Sequence, residues 1–207
     1  DNGHGNAANV HRTMHQFARA GFAGIMLEDQ SSPKRCGHTG VKAVVEREQA
    51  LERIRAAVQA REQGADLVII ARTDARSALA ASHGEAQALE EALWRLNAFA
   101  DLGADVVFLE APRSEQEMNR FCRQVPGWRM ANMLEGGLTP WLPPDALAAM
   151  GFRLAAYPLT LISAAAFGMK TALSALQSGT APQQLLSFSE LKDLVGFPAY
   201  DQAASSN

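Results

Sequence analysis

Four stretches of this chain repeat one plan: a helix-like run, a glycine, a short apolar run, then a polar residue. They read ARAGFAGIMLED, REQGADLVIIARTD, ADLGADVVFLEAP and AAMGFRLAAYPL, and their glycines, Gly21, Gly64, Gly103 and Gly151, lie 43, 39 and 48 residues apart. A glycine at the end of each helix-like run suits a C-terminal cap, where a positive φ costs it little. The apolar runs lack clean alternation, as strands buried on both faces do. Between them, at 46–63 and 85–102, apolar residues recur at intervals of three and four, the spacing of helices that bury one face. Strands alternating with helices imply a parallel sheet.

The period near 40 fits a (β/α)8 TIM-type barrel of the α/β class. RMANML at 129–134 is a fifth strand candidate. Five strands cannot close an eight-stranded barrel, so about three more are expected before Asp1. The expected organisation is one barrel domain over 1–207, N-terminally incomplete, with a helical region at 161–207. A doubly wound open sheet is the alternative. No G-x-G-x-x-G turn follows any of these strands, which weakens it. Residues 161–177 are alanine-rich and apolar, and SFSE at 187–190 has the form of a capping box. The tail DQAASSN is expected to fray.

The chain has 207 residues, 47% hydrophobic and 20% charged, enough for a well-buried core. A net charge of -3 gives no bias toward nucleic acid or an anionic membrane surface. No apolar run approaches the roughly 18 residues of a membrane helix. Two cysteines, Cys36 and Cys122, are too few for a disulfide framework and point to reduced thiols in a cytoplasmic setting.

The strand ends supply Glu28 and Asp29, then Arg72 and Asp74, Glu110, Asn132, and finally Tyr157 and Thr160. In a barrel these ends converge on one face, where active sites sit. Strand ends meet water and are often polar for that reason alone. Arg72 and Glu110, each directly after four or five apolar residues, are better explained by function. Acids from different strands, with Asp1 in a neighbouring loop, suit Mg²⁺, which takes oxygen ligands and only one or two carboxylates. An arginine beside them can bind a substrate carboxylate through two hydrogen bonds and stay charged. Structural salt bridges are the competing explanation.

Cys36 lies in LEDQSSPKRCGH, among Lys34, Arg35 and His38. Those cations lower a thiol pKa from about 8.5 toward neutrality, where it can donate and recover a proton. Cys122, in EQEMNRFCRQV, falls on the expected buried face of a helix. His11 and His15 are four apart, but Arg12 replaces the glutamate of H-E-x-x-H, so a solvated helix face is expected. Trp94 and Trp128 are expected to pack.

Together these residues resemble the isocitrate lyase and phosphoenolpyruvate mutase superfamily. KRCGH matches the catalytic loop of its lyase branch, and DNGHGN looks like the end of its D-x-D-x-G-x-G metal segment. LEDQ, ARTDA, FLEAP, NMLEGGLTP and AYPL match further segments in order. Within the superfamily the chain resembles the group of methylisocitrate lyase, dimethylmalate lyase and the petal death protein.

The resemblance implies a barrel whose last helix is exchanged between subunits of a homotetramer. It also implies a Mg²⁺ site, which Mn²⁺ would also fit, at Asp1 and Glu28. Arg72 would bind the substrate carboxylate, the amides of Gly37 and His38 would hold another, and Glu110, Asn132, Thr139 and Thr160 would line the pocket. Cys36 would protonate the enolate. The base is left open among a metal-bound group, Glu110 and His38. The implied activity is Mg²⁺-dependent carbon–carbon bond cleavage of a 2-hydroxy di- or tricarboxylate. Oxaloacetate hydrolysis, a carboxyvinyl-carboxyphosphonate phosphorylmutase-like reaction, and a non-catalytic fragment that only binds partner subunits are the alternatives. The phosphonate branch does not carry Cys-Gly-His in this loop.

Overall fold

The chain is represented by a computed structural model that describes residues 2–34 and 42–205. It divides into two compact units, Asp1–Leu159 and Thr160–Asn207.

The first unit alternates helices and strands as the repeat predicts. In chain order it contains α1 (Ala7–Arg19), β1 (Gly24–Glu28), α2 (Arg47–Glu62), β2 (Val68–Thr73), the short α3 (Ala75–Ala78) and α4 (Ala80–His83), α5 (Glu85–Asp101), β3 (Val106–Leu109), α6 (Glu115–Gln124), β4 (Trp128–Asn132), α7 (Pro144–Met150) and β5 (Leu154–Ala156). The strands form one parallel sheet in the order β1-β2-β3-β4-β5, each beside its successor in sequence. This is the strand order of a barrel wall. A doubly wound sheet would reverse its order partway. Gly21, Gly64, Gly103 and Gly151 all adopt positive φ, between 83° and 111°, at the turns from helix to strand.

Two sequence features start helices here. Asn6 caps α1 by accepting from the Asn9 amide, and Ser114 caps α6 by accepting from the Glu117 amide. The core lies between sheet and helices. Met14 of α1, Ile54 and Ala57 of α2, Leu96 and Phe99 of α5, and Met118 and Phe121 of α6 are buried with Ile69, Ala71, Val107 and Leu109 of the strands. All four residues of β3, the central strand, are buried, which accounts for its unbroken apolar sequence. Trp128 departs from expectation. It is 60% exposed at the start of β4. Trp94 is 40% exposed and is covered instead by the Arg47 guanidinium, 3.8 Å from its ring centre.

The second unit consists of α8 (Thr160–Gln177), α9 (Phe188–Leu194) and α10 (Phe197–Ser205). Ser187 and Glu190 form the expected capping box at α9, with both reciprocal hydrogen bonds made. The tail is helical through Ser205 rather than frayed from Asp201. Its Phe-Pro start places proline in the first turn, where its missing N–H costs nothing, and alanines follow. α8 buries none of its residues, although Leu161, Phe167 and Leu173 are large and apolar.

Candidate active site

The parallel register sets Glu28 of β1 directly beside Arg72 of β2, and Arg72 beside Phe108 of β3. Glu110 follows β3 by one residue, and its amide donates to the Thr73 carbonyl at 3.1 Å. Three strand ends thereby deliver an arginine and two acids to one point. Asp74, one residue past β2, adds a third acid.

Arg72 is the centre of this cluster. Its Nε and Nη2 donate to Asp74 Oδ2 and Oδ1 at 2.8 and 3.0 Å. Its Nε lies 3.3 Å from Glu28 Oε2, and its Nη1 lies 3.5 Å from Glu110 Oε2. Burial works against the Arg72 charge, but the hydrogen bonds to Asp74 and the charges of Asp74, Glu110 and Glu28 outweigh it, so its pKa is held above the usual value. Burial alone would raise the Asp74 carboxyl. The cations of Arg72 and Lys42 outweigh that and hold it below the usual carboxylate range.

Two lysines complete the cluster. Lys34 Nζ is 3.0 Å from Glu28 Oε1, and Lys42 Nζ donates to Asp74 Oδ1 at 3.2 Å. Neither contact was legible in the sequence, because each lysine and its acid are far apart along the chain or separated by a turn. Lys34 is also one of the cations expected to tune Cys36, and here it also balances Glu28.

A second layer of charge holds the strand ends in place. Asp29 accepts from the Thr73 hydroxyl at 2.6 Å, from the Asp74 amide at 2.9 Å and from Arg95 Nη1 at 3.1 Å. Burial nevertheless pushes the Asp29 carboxyl up, against the pull of Arg95, Thr73 and the Asp74 amide. Arg95, on α5, also donates to the Val45 carbonyl at 2.9 Å. Arg53, on α2, donates to the carbonyls of Glu28 and Gln30. The two ends of the segment after β1 meet through the Gln30–Val44 bridge and the Ser31–Ala43 and Val45–Asp29 backbone hydrogen bonds.

Of the residues singled out in the sequence, Glu28, Arg72 and Glu110 are brought together. Asp1, Cys36, Gly37 and His38 lie outside the described residues. Asn132 ends β4, and Thr139 follows in the next loop. The buried Asn132 Oδ1 and Thr139 Oγ1 have no hydrogen-bond partner among the described residues, and neither does the Tyr157 hydroxyl just past β5. Buried polar atoms left without a partner cost free energy unless a ligand or water satisfies them. Thr160 is the first residue of α8, in the second unit. Cys122 is buried on α6, as expected, and burial pushes its thiol up to about 11. The His11 and His15 rings meet tilted at 54° with their centres 4.8 Å apart on α1, and His11 bonds Gln63.

Among the described residues no three His, Cys, Asp or Glu side chains converge into a complete metal site. Glu28 and Glu110 nonetheless give oxygen donors on either side of Arg72, the hard ligand type and small carboxylate number that Mg²⁺ accepts alongside water. A separate cavity of about 600 Å³, lined by Val44, Arg47, Leu79, Trp94 and Arg95 among others, lies beside α5 rather than at the strand ends.

A parallel, sequentially ordered β/α sheet with charged residues gathered at its carboxyl ends defines a β/α-barrel type of enzyme scaffold. The family model for phosphoenolpyruvate phosphomutase matches residues 1–177, and the chain belongs to this PEP mutase family, within the isocitrate lyase/PEP mutase superfamily. It is 40% identical to 2,3-dimethylmalate lyase of Eubacterium barkeri over 95% of this chain and 66% of that protein. It is 37% identical to the chloroplastic carboxyvinyl-carboxyphosphonate phosphorylmutase of Arabidopsis thaliana, over 97% of this chain and 58% of that one. A solved structure of oxaloacetate acetylhydrolase in complex with the inhibitor 3,3-difluorooxalacetate superposes with a TM-score of 0.85 at 33% identity, covering all of this chain and 68% of that one. The chain thus spans about three-fifths to two-thirds of the length of these relatives.

Proposed function

We propose that this chain carries the active-site half of a Mg²⁺-dependent carbon–carbon bond lyase acting on a 2-hydroxy di- or tricarboxylate of the methylisocitrate or dimethylmalate kind. The observation that carries this reading is Arg72. Three acids fix it at a point where three strand ends meet, and one corner of its guanidinium lies near Glu110. A fixed, permanently charged fork of this kind is suited to a substrate carboxylate. The similarity to 2,3-dimethylmalate lyase supports the same chemistry.

In this reading a substrate carboxylate seats on Arg72, and the Gly37 and His38 amides hold a second one. Asn132 and Thr139 supply hydrogen-bonding groups around it. Mg²⁺, when bound at Asp1 and Glu28, supplies positive charge that offsets the negative charge of the substrate oxygens. The substrate hydroxyl gives up its proton to a base, for which Glu110 and His38 are the candidates. The carbon–carbon bond then breaks, its electron pair passing into the departing fragment as an enolate. The Arg72 charge stabilises that enolate, and electrostatic stabilisation of this sort is usually the largest catalytic contribution. The Cys36 thiol delivers a proton to the enolate carbon, and the resulting thiolate takes up a proton from solvent, into which the base releases the one it removed, so that the thiol is restored.

A second reading is oxaloacetate hydrolysis to oxalate and acetate, favoured by the similarity to oxaloacetate acetylhydrolase. Assays of methylisocitrate, dimethylmalate and oxaloacetate with Mg²⁺, before and after chelation, separate the two. Cleavage of a 2-hydroxy acid supports the lyase, and cleavage of oxaloacetate alone supports the hydrolase. No Mg²⁺-dependent turnover of any of the three overturns both.

The apolar exposure of α8 supports a homo-oligomer in which that helix packs on a partner subunit.

A further inference from the structure

Lys42 is an unusual residue to find buried. Its side chain is 3% exposed, and lysine is rarely buried without a partner. It pairs with Asp74 Oδ1, the same oxygen that accepts from Arg72 Nη2. Asp74 is itself fully buried, and the Asp29 carboxylate holds its amide. One carboxylate therefore serves two cations. It grips the Nε/Nη2 edge of Arg72 and leaves the Nη1 corner pointed at Glu110.

Lys42 also places a positive charge beside the acids that surround Arg72: its Nζ sits on Asp74, as Lys34 Nζ sits on Glu28. Without Lys42 one positive charge would be lost close to the arginine that is to receive an anion. Asp74 would also bear on Arg72 alone.

We propose that Lys42 is a positioning residue. By sharing Asp74 Oδ1 it fixes the edge of Arg72 that Asp74 holds and offsets the Asp74 charge, so that the Nη1 corner accepts a carboxylate. This inference rests on the reading of Arg72 as the carboxylate-binding group. It adds a determinant of affinity from outside the strand ends. Lys42 touches no substrate in this scheme and acts through Asp74 and Arg72.

The test is calorimetric titration of oxalate into the full chain with Mg²⁺, for wild type, R72M, K42M and K42R, with thermal melts of each. Wild type is expected to bind, and R72M to lose binding. K42M is expected to weaken binding by about tenfold to a hundredfold, as removal of one charge roughly 6–12 Å away does at an effective dielectric of about 20. K42R is expected to recover most of that loss. In turnover assays K42M should raise KM while changing kcat little. A merely structural lysine would lower the K42M melting temperature and leave the oxalate affinity of the folded protein unchanged, and that result overturns the proposal while leaving the Arg72 reading intact. Wild type that binds no oxalate, or R72M that binds it normally, overturns that reading and the proposal with it. If K42M does not fold, K42Q carries the same test, because it can still donate one hydrogen bond to Asp74 without the charge.

Discussion

Glu28 and Arg72 stand at matched positions on neighbouring parallel strands, and a 3.3 Å ion pair joins their side chains. The register makes this pairing unavoidable. A slip of one residue would turn either side chain to the other face of the sheet. Sheet geometry and site geometry are therefore the same constraint at this point.

The first consequence concerns Arg72. Truncation to methionine leaves Glu28, Asp74 and Glu110 with less compensating charge in a buried setting, and breaking such a pair costs about 3–5 kcal/mol. R72M should melt at a lower temperature than wild type, as followed by circular dichroism. R72K should recover part of the stability, because it keeps the charge, but little of the carboxylate affinity, because it loses the planar fork that Asp74 holds by one edge and that presents its Nη1 corner. An R72K variant that binds oxalate as wild type does would contradict the role given to the guanidinium fork.

Cys36 gives the second. General acid catalysis contributes about 10²–10⁴-fold, so C36A should lower kcat by about that factor with KM nearly unchanged. Unaltered turnover in steady-state assays would remove Cys36 from the mechanism.

The two thiols should also differ in reactivity. Burial pushes Cys122 up to about 11 from its usual 9.0, whereas Lys34, Arg35 and His38 flank Cys36 in sequence. At pH 7.5 iodoacetamide should modify Cys36 fast and Cys122 slowly, as read by peptide mass spectrometry. The sign of the linkage follows from the raised value. Below pH 9 the Cys122 thiol is neutral whether the chain is folded or not, and its contribution to stability is complete. As pH rises toward 11 the unfolded thiol ionises first, so stability is lost across that window. C122S should flatten that part of the stability profile, and equal labelling of both thiols would refute the assignment.

α8 supplies the last prediction. Leu161, Phe167 and Leu173 are 83, 69 and 66% exposed, and clustered exposure of large apolar side chains marks interaction surfaces. Sedimentation velocity should find the wild-type chain self-associated. The triple variant L161E/F167E/L173E should sediment as a smaller species with its circular dichroism preserved. A wild-type chain that is monomeric at tens of micromolar would sink the oligomer reading.

Much of this fold is legible in the sequence because it depends on local chemistry. The glycine that ends each helix and the apolar run that follows locate four strands within about two residues, and the Ser187 capping box marks α9. Glu28, Arg72 and Glu110 are legible because a charged residue straight after an apolar strand is conspicuous. What escapes is pairing across distance. Asp74 looks like an ordinary residue after a strand until Lys42, 32 positions earlier, is found on its carboxylate. The one local signal was the run GVKAVV, in which a lysine interrupts apolar residues and so needs a buried acid. Trp128 escapes for a related reason. A tryptophan opening a strand reads as core, but its exposure depends on what covers that end of the sheet.

The glycine turns at Gly21, Gly64, Gly103 and Gly151 all precede strands, whereas every member of the Arg72 cluster lies at or beyond the carboxyl end of one. In a parallel sheet those two sets occupy opposite rims. A fluorophore attached at Ala20 or Glu62, both exposed, can therefore report on the folding of the sheet without perturbing the charged end, so stability and chemistry can be followed separately in one labelled molecule.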